Sequence, residues 1–215
     1  MSRLNSFYFQ TIIPKLLDSF TYSNNNEIPR LYKINLNRAF DESCQSQKII
    51  DSIKSELSQI SGQKPSVKLS EKSIANFKLK KGMPVSVFVT LRGKRMYSFL
   101  DRLVNLVLPR IRDFQGLDLK SFDKFGNYSF SITGLEAFPE LESSRIGIKN
   151  GINITFCISK SGKITSKNEG IFLLSSLGLP LKNLVQKNFS FLVELNVFLI
   201  YIMYMSNNDL VSFDI

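Results

Sequence analysis

Histidine and tryptophan are both absent from this chain of 215 residues. Without histidine, the commonest general base and the commonest metal ligand are missing. Cysteine is scarce: Cys44 and Cys157 lie far apart and form no zinc-type spacing, so two free thiols in a reducing compartment are expected. No serine or cysteine stands in a hydrolase arrangement, and no paired carboxylates form a motif. Gly82 and Gly93 do not make a phosphate loop of the G-x-x-x-x-G-K type. The chain therefore reads as non-enzymatic, with neither cofactor nor metal. Long apolar runs are also rare. Residues 189–205 form the main one, and it carries Glu194 near its centre. A bilayer span takes about 20 apolar residues, so this run is short, and a docked helix is expected rather than a membrane span. The N-terminus shows neither a secretory signal nor an arginine- and serine-rich presequence.

Positive charge is abundant: 28 Lys and Arg stand against 18 Asp and Glu, for a net charge of +10 and a pI of about 9.6. Such a balance favours a polyanionic partner, either nucleic acid or an anionic membrane. The cations are clustered. Between residues 63 and 95 lie Lys64, Lys68, Lys72, Lys78, Lys80, Lys81, Arg92, Lys94 and Arg95. Phenylalanine (18 copies), isoleucine, asparagine and lysine are plentiful, residue types with A/T-rich codons. They suggest an A/T-rich genome, either organellar or bacterial.

Residues 85–114 organise the pattern. Val85, Val87, Val89 and Leu91 alternate with Ser86, Phe88, Thr90 and Arg92, the period of a strand. Gly93 breaks it. Met96, Phe99, Leu100, Leu103, Val104 and Val107 then recur at helical spacing, and Pro109 is expected to stop the helix. Arg92, Lys94 and Arg95 sit at the strand–helix junction, with Arg110 and Arg112 just beyond the helix end.

Earlier in the chain, residues 4–20 read as an amphipathic helix, kinked or late-starting at Pro14. Residues 31–37 read as a strand, with Leu31, Lys33, Asn35 and Asn37 on one face and Tyr32, Ile34 and Leu36 on the other. The first face is either an ordinary solvated surface or an RNA contact. Residues 47–60 form a helix with Ile49, Ile50, Ile53, Leu57 and Ile60 inward. A short strand at residues 66–69 leads into a long, exposed, lysine-rich loop at residues 70–82. Ile74 and Phe77 either pin that loop to the body or touch RNA. Strands at 127–132 and 151–159 and a helix at 169–177 follow. The expected fold is α+β: a mainly antiparallel sheet covered on one face by helices, with a long projecting basic loop.

Several stretches carry a resemblance. Thr90-Leu91-Arg92-Gly93-Lys94-Arg95-Met96, Pro109-Arg110-Ile111-Arg112-Asp113-Phe114, Lys120-Ser121-Phe122-Asp123 and Gly126-Asn127-Tyr128-Ser129 resemble, in order, the signature of the ribosomal protein L five family. The resemblance runs from about residue 4 to about residue 182. It implies one RNA-binding domain over residues 1–182 and a hydrophobic extension over 183–215. It also implies a structural role in the large-subunit central protuberance, binding 5S rRNA, large-subunit rRNA or both. Lys33, Asn37, Gln63, Lys64, Thr90, Arg92, Lys94, Arg95, Arg110 and Arg112 are the candidate RNA contacts. The loop residues Lys72, Ser73, Asn76, Phe77, Lys78, Lys80 and Lys81 would approach the peptidyl-site tRNA. Further implied partners are small-subunit ribosomal protein S thirteen and neighbouring large-subunit proteins. The alternative is a basic protein anchored to a membrane by its tail.

The chain departs from the family pattern at Arg38-Ala39-Phe40-Asp41, where glycines and small residues are usual. It departs again at Leu69, Glu71, Asn76 and Phe88. These departures fit a divergent organellar ribosome with an altered or missing 5S rRNA. The expected location is the mitochondrial ribosome; another organelle or a bacterial cytoplasm is the alternative.

Overall fold

A computed structural model describes residues 3–39, 46–141, 151–160 and 165–182. Its centre is a five-stranded antiparallel sheet in the order β2-β3-β1-β5-β4. The strands are β1 (Arg30–Ala39), β2 (Ser66–Leu69), β3 (Pro84–Leu91), β4 (Tyr128–Ile132) and β5 (Ile152–Ser159). Helices α3 (Gln47–Ser61) and α4 (Gly93–Arg102) pack against β3 and β1 on one side. The α+β expectation holds. Two compact units are present: residues 1–114 with 120–179, which hold the sheet, and residues 115–119 with 180–215. In the second unit, Leu117 and Leu181 form a parallel bridge, with Leu117 N–H to Pro180 O at 2.8 Å. The 183–215 extension lies outside the described residues, and so does the question of whether it docks or spans. Among the described residues, no helix is long and apolar enough to cross a membrane.

The alternation on β3 sorts as read. Val87, Val89 and Leu91 are buried, while Phe88 and Thr90 are half-exposed. The alternation on β1 does not. Ile34, Leu36 and also Leu31 face the core, and Tyr32 is exposed. A β-bulge between Leu31 and Lys33 inserts one residue against β5 and reverses the parity of everything before it. Leu31 and Tyr32 thus occupy the faces opposite to those expected.

Pro109 also behaves differently from the expectation, and Pro14 shares its setting. The N-terminal helix runs α1 (Arg3–Phe7), a π turn (Tyr8–Ile12) and α2 (Ile13–Ser19), so a new α segment starts just before Pro14. The later one runs α4, a π turn (Leu103–Val107) and α5 (Leu108–Arg110), straight through Pro109. In each case the residue before the proline donates five residues back: Ile13 N–H to Tyr8 O and Leu108 N–H to Leu103 O. The wider turn lets the proline fall in the first turn of the next helical segment, where its missing N–H is not needed. Arg110 therefore belongs to the last helical turn.

The core contains an ion pair. Arg38 is 1% exposed and its Nη1 donates to Oε2 of Glu56 on α3, itself 4% exposed. At the other end of the sheet, Lys160 Nζ lies 2.9 Å from Glu169 Oε1, and both side chains are under 10% exposed. Glu169 opens helix α6 (Lys167–Ser176) in a capping box: Ser166 N–H donates to its carboxylate, and its own N–H donates to Ser166 Oγ. Gly126 (φ +77°) and Gly170 pass so closely that a Cβ on Gly170 would stand 2.4 Å from Gly126 O.

Removing one partner of a buried pair leaves the other charged in a dry site. Glu56→Ala should therefore lower stability by about 3–5 kcal/mol, whereas an apolar double replacement of Arg38 and Glu56 should be close to neutral; denaturant melts of both variants check this. Burial alone would raise the Glu169 carboxyl, but hydrogen bonds from Lys160 and Ser166 outweigh it and hold it below its ordinary value. A depressed carboxyl stabilises the fold above its unfolded value, and that contribution is lost as pH falls through the folded one. The melting-temperature gap between wild type and Glu169→Gln should therefore close on acidification.

Candidate nucleic-acid interface

Among the described residues no helix covers the second face of the sheet, and most of the side chains on it are small and polar. Cross-strand register arranges them in rows. One row runs Ser129, Thr155, Asn35, Thr90; the next runs Ser131, Asn153, Asn37, Phe88, Ser66. The first is largely satisfied within itself. Ser129 Oγ donates to Thr155 Oγ1 at 3.1 Å, and Thr90 Oγ1 donates to Asn35 Oδ1 at 3.0 Å. Asn35 Nδ2 lies 3.9 Å from Cys157 Sγ. Burial pushes the Cys157 thiol up, with Asp123 adding to the rise and Lys33 opposing it, so the group is a weak nucleophile. Cys44 lies outside the described residues. In the second row, Asn37 Oδ1 is buried and accepts no hydrogen bond from the described residues. An unmet buried acceptor costs about 1–3 kcal/mol.

The structure brings some candidate residues together and separates others. Lys33, Asn37 and Thr90 share the open face. Gln63, at the turn after α3, donates from Nε2 to Thr90 O at 3.4 Å, with exposed Lys64 beside it. Arg92 continues the open face of β3, and Lys94 and Arg95 follow at once, exposed, in the first turn of α4. That turn contains no acidic residue. Cations there oppose the helix dipole at about 0.3–1 kcal/mol each. Arg110 and Arg112 are exposed but stand at the far end of this helix, about 25 Å along its axis.

The loop lies at the opposite end of β3 from Arg92, so its lysines form a separate group. It is more ordered than its composition suggests. Ser70 and Gly82 or Met83 continue the hairpin, Ile74 and Leu79 exchange backbone hydrogen bonds at 2.9 and 3.1 Å, and Lys81 N–H donates to Ser73 Oγ. Lys72, Ser73, Asn76, Lys78, Lys80 and Lys81 are exposed, and Phe77 is 64% exposed, so it does not pin the loop to the body. Ile74, at 43%, stays out as well.

The resemblance motif around residue 123 proves to be a turn. The Asp123 carboxylate accepts from the N–H groups of Phe125 and Asn127 at 2.9 and 2.7 Å, and Asn127 Oδ1 accepts from Ile158 N–H. This fixes the start of β4 against the end of β5. The candidate contacts expected from sequence omit the open-face residues Tyr32, Ser131, Asn153 and Thr155. Alternation alone would have found the last three.

Comparison with known proteins decides the family. A family model described as "Ribosomal protein L5" matches residues 24–80, and a second, described as the C-terminus of the same ribosomal family, matches residues 84–181. The chain belongs to the ribosomal protein L5 family. Members of that family are structural and not enzymes. The large ribosomal subunit protein uL5c of Euglena gracilis is 50% identical over 183 residues, 85% of this chain and 100% of that protein. That of Oedogonium cardiacum is 50% identical over 181 residues, 84% of this chain and 98% of its own. The large ribosomal subunit protein uL5 of the cyanobacterium Microcystis aeruginosa is 47% identical over 182 residues, 84% and 98% of the two chains. The mitochondrial expectation is corrected by these relatives, which are chloroplast and cyanobacterial and point to a plastid or bacterial ribosome.

Because the Thr90 hydroxyl serves Asn35, Thr90→Val should cost about 1 kcal/mol of stability by stranding that amide oxygen. Val89→Asp should unfold the domain, since Val89 is 2% exposed. Thermal melts of the two variants check the assignment of faces.

Proposed function

We propose that this protein is a structural, rRNA-binding constituent of the large ribosomal subunit. Family membership supports the ribosomal role. The observation that carries RNA binding is the open sheet face: small hydroxyl and amide side chains with an unmet acceptor at Asn37, bordered by Lys33, Arg92, Lys94 and Arg95. Amides and hydroxyls at this density suit 2′-hydroxyls and base edges, and the bordering cations suit phosphates. Three cations at the α4 N-terminus are electrostatically costly alone and favourable with a phosphate seated beside them.

On this reading, 5S rRNA or a hairpin of the large rRNA lies across Asn37, Thr90, Gln63 and Lys64. Thr90 acts by orienting Asn35 as well as by any contact of its own. The separate group at residues 72–81 meets a second RNA, the peptidyl-site tRNA, and the body bridges to the small-subunit head through ribosomal protein S thirteen. Arg110 and Arg112, distant from both groups, take a third segment of rRNA.

The test of the ribosomal role is sedimentation: the native protein should travel with large subunits on a sucrose gradient, and recovery only in ribosome-free fractions would refute it. For the loop, a Lys80→Ala/Lys81→Ala double variant should bind RNA with a shallower log–log salt dependence. The slope should fall by about 0.7–0.9 for each phosphate that a lysine no longer neutralises. An unchanged slope would mean that water alone meets these lysines.

A further inference from the structure

The bulge in β1 has an effect beyond register. It turns Tyr32 out of the core face, leaving its side chain 44% exposed beside Lys33. Arg92 crosses from the end of β3 and holds it. The guanidinium carbon sits 4.8 Å from the ring centroid, and Nη1 donates to the tyrosine oxygen at 3.1 Å. An exposed aromatic ring is thereby fixed in orientation, with a cation on it and Lys33 adjoining, at the border of the polar face. The Tyr32 position was not among the expected RNA contacts.

We propose that Tyr32 is a stacking platform for an unpaired RNA base, with Arg92 orienting the ring and adding a cation to the stack. The inference rests on the RNA-binding reading above and names a chemical class that the hydroxyls and amides of the rows cannot take; Phe88, the one ring in those rows, is only half-exposed and carries Lys68 over it at 5.0 Å. Asn37, Thr90 and Gln63 offer hydrogen bonds and Lys64 a charge, but none offers an apolar plane to a nucleobase. A ring with a guanidinium partner does, and base–aromatic stacking tolerates any base because every base has a π face. Other chemistries fit less well. A buried ring would be packing, but this one is substantially exposed. A phosphate would need only the cations, and the bulge turns out a ring. Bulges commonly serve to re-aim a side chain in this way.

Absence of tryptophan makes the test direct. Tyr32→Trp places a single tryptophan in the chain, so its emission reports this position alone. The full-length variant is titrated with cyanobacterial large-subunit rRNA together with its 5S rRNA, and separately with a fully paired RNA duplex. Stacking predicts that emission is quenched by the rRNA and little changed by the duplex. Tyr32→Ala should weaken rRNA binding about 5- to 100-fold while its thermal melt stays near wild type, and Tyr32→Phe should keep most of the affinity. Unaltered tryptophan emission in a saturated rRNA complex, or equal quenching by the duplex, overturns the stacking role while leaving RNA binding intact. Failure of the wild type to bind rRNA at all removes the RNA-binding reading and this inference together.

Discussion

A single sheet with helices on one side has two unlike faces, and the proposed RNA face follows from that constraint. The helix-covered face supplies the core: Ile34, Leu36, Val87, Val89, Leu91, Ile154 and Phe156 are almost fully buried. Its burial fixes the register of each strand, because a slip of one residue would turn the apolar set outward. The second face inherits that register without contributing to it. Its rows of Ser, Thr and Asn line up across four or five strands because the opposite face holds them there. The RNA-binding reading therefore depends on a rigid dry face that never meets RNA.

The cations add a second layer of organisation. Among the described residues, exposed cations gather at the α4 N-terminus, in the hairpin loop and at the α5 end, with Lys64 and Lys68 along β2 between the first two. β3 separates the first two by its own length and the α4–α5 helix separates the first and third. A protein that only needed to stick to polyanion could spread its charge anywhere. Charges grouped at the ends of rigid elements fix distances between bound segments, which is what a scaffold within a folded RNA requires.

What could be read from the sequence was the periodic part. On β3, alternation from Val87 to Leu91 assigned the two faces correctly, while at the strand start Ser86 is buried and Val85 half-buried. The five inward positions of α3 sorted largely as helical spacing predicts. The rest was hidden for particular reasons. A bulge leaves no trace in a hydrophobic pattern, so Leu31 and Tyr32 were assigned to each other's faces. Pro109 looked like a stop because the π turn ahead of it depends on backbone geometry, which side-chain spacing does not encode. The hydroxyl of Thr90 looked free for a ligand because its partner, Asn35, is distant in sequence and opposite only across the ladder. Loop order was missed since the Ile74–Leu79 bridge is made by backbone groups, which side-chain pattern does not encode.

Arg38 shows how such a misreading propagates. Set against the small residues usual at its position, a lone arginine beside Asn37 suggests a disturbed RNA site, and from there a divergent ribosome. The sheet parity says otherwise. Asn37 faces outward, so Arg38 faces the helices, and there Glu56 on α3 neutralises it. The change and its compensation both lie in the core, and neither touches the polar rows. The arginine at this position is thus a packing solution. That agrees with 50% identity to a chloroplast relative over its whole length.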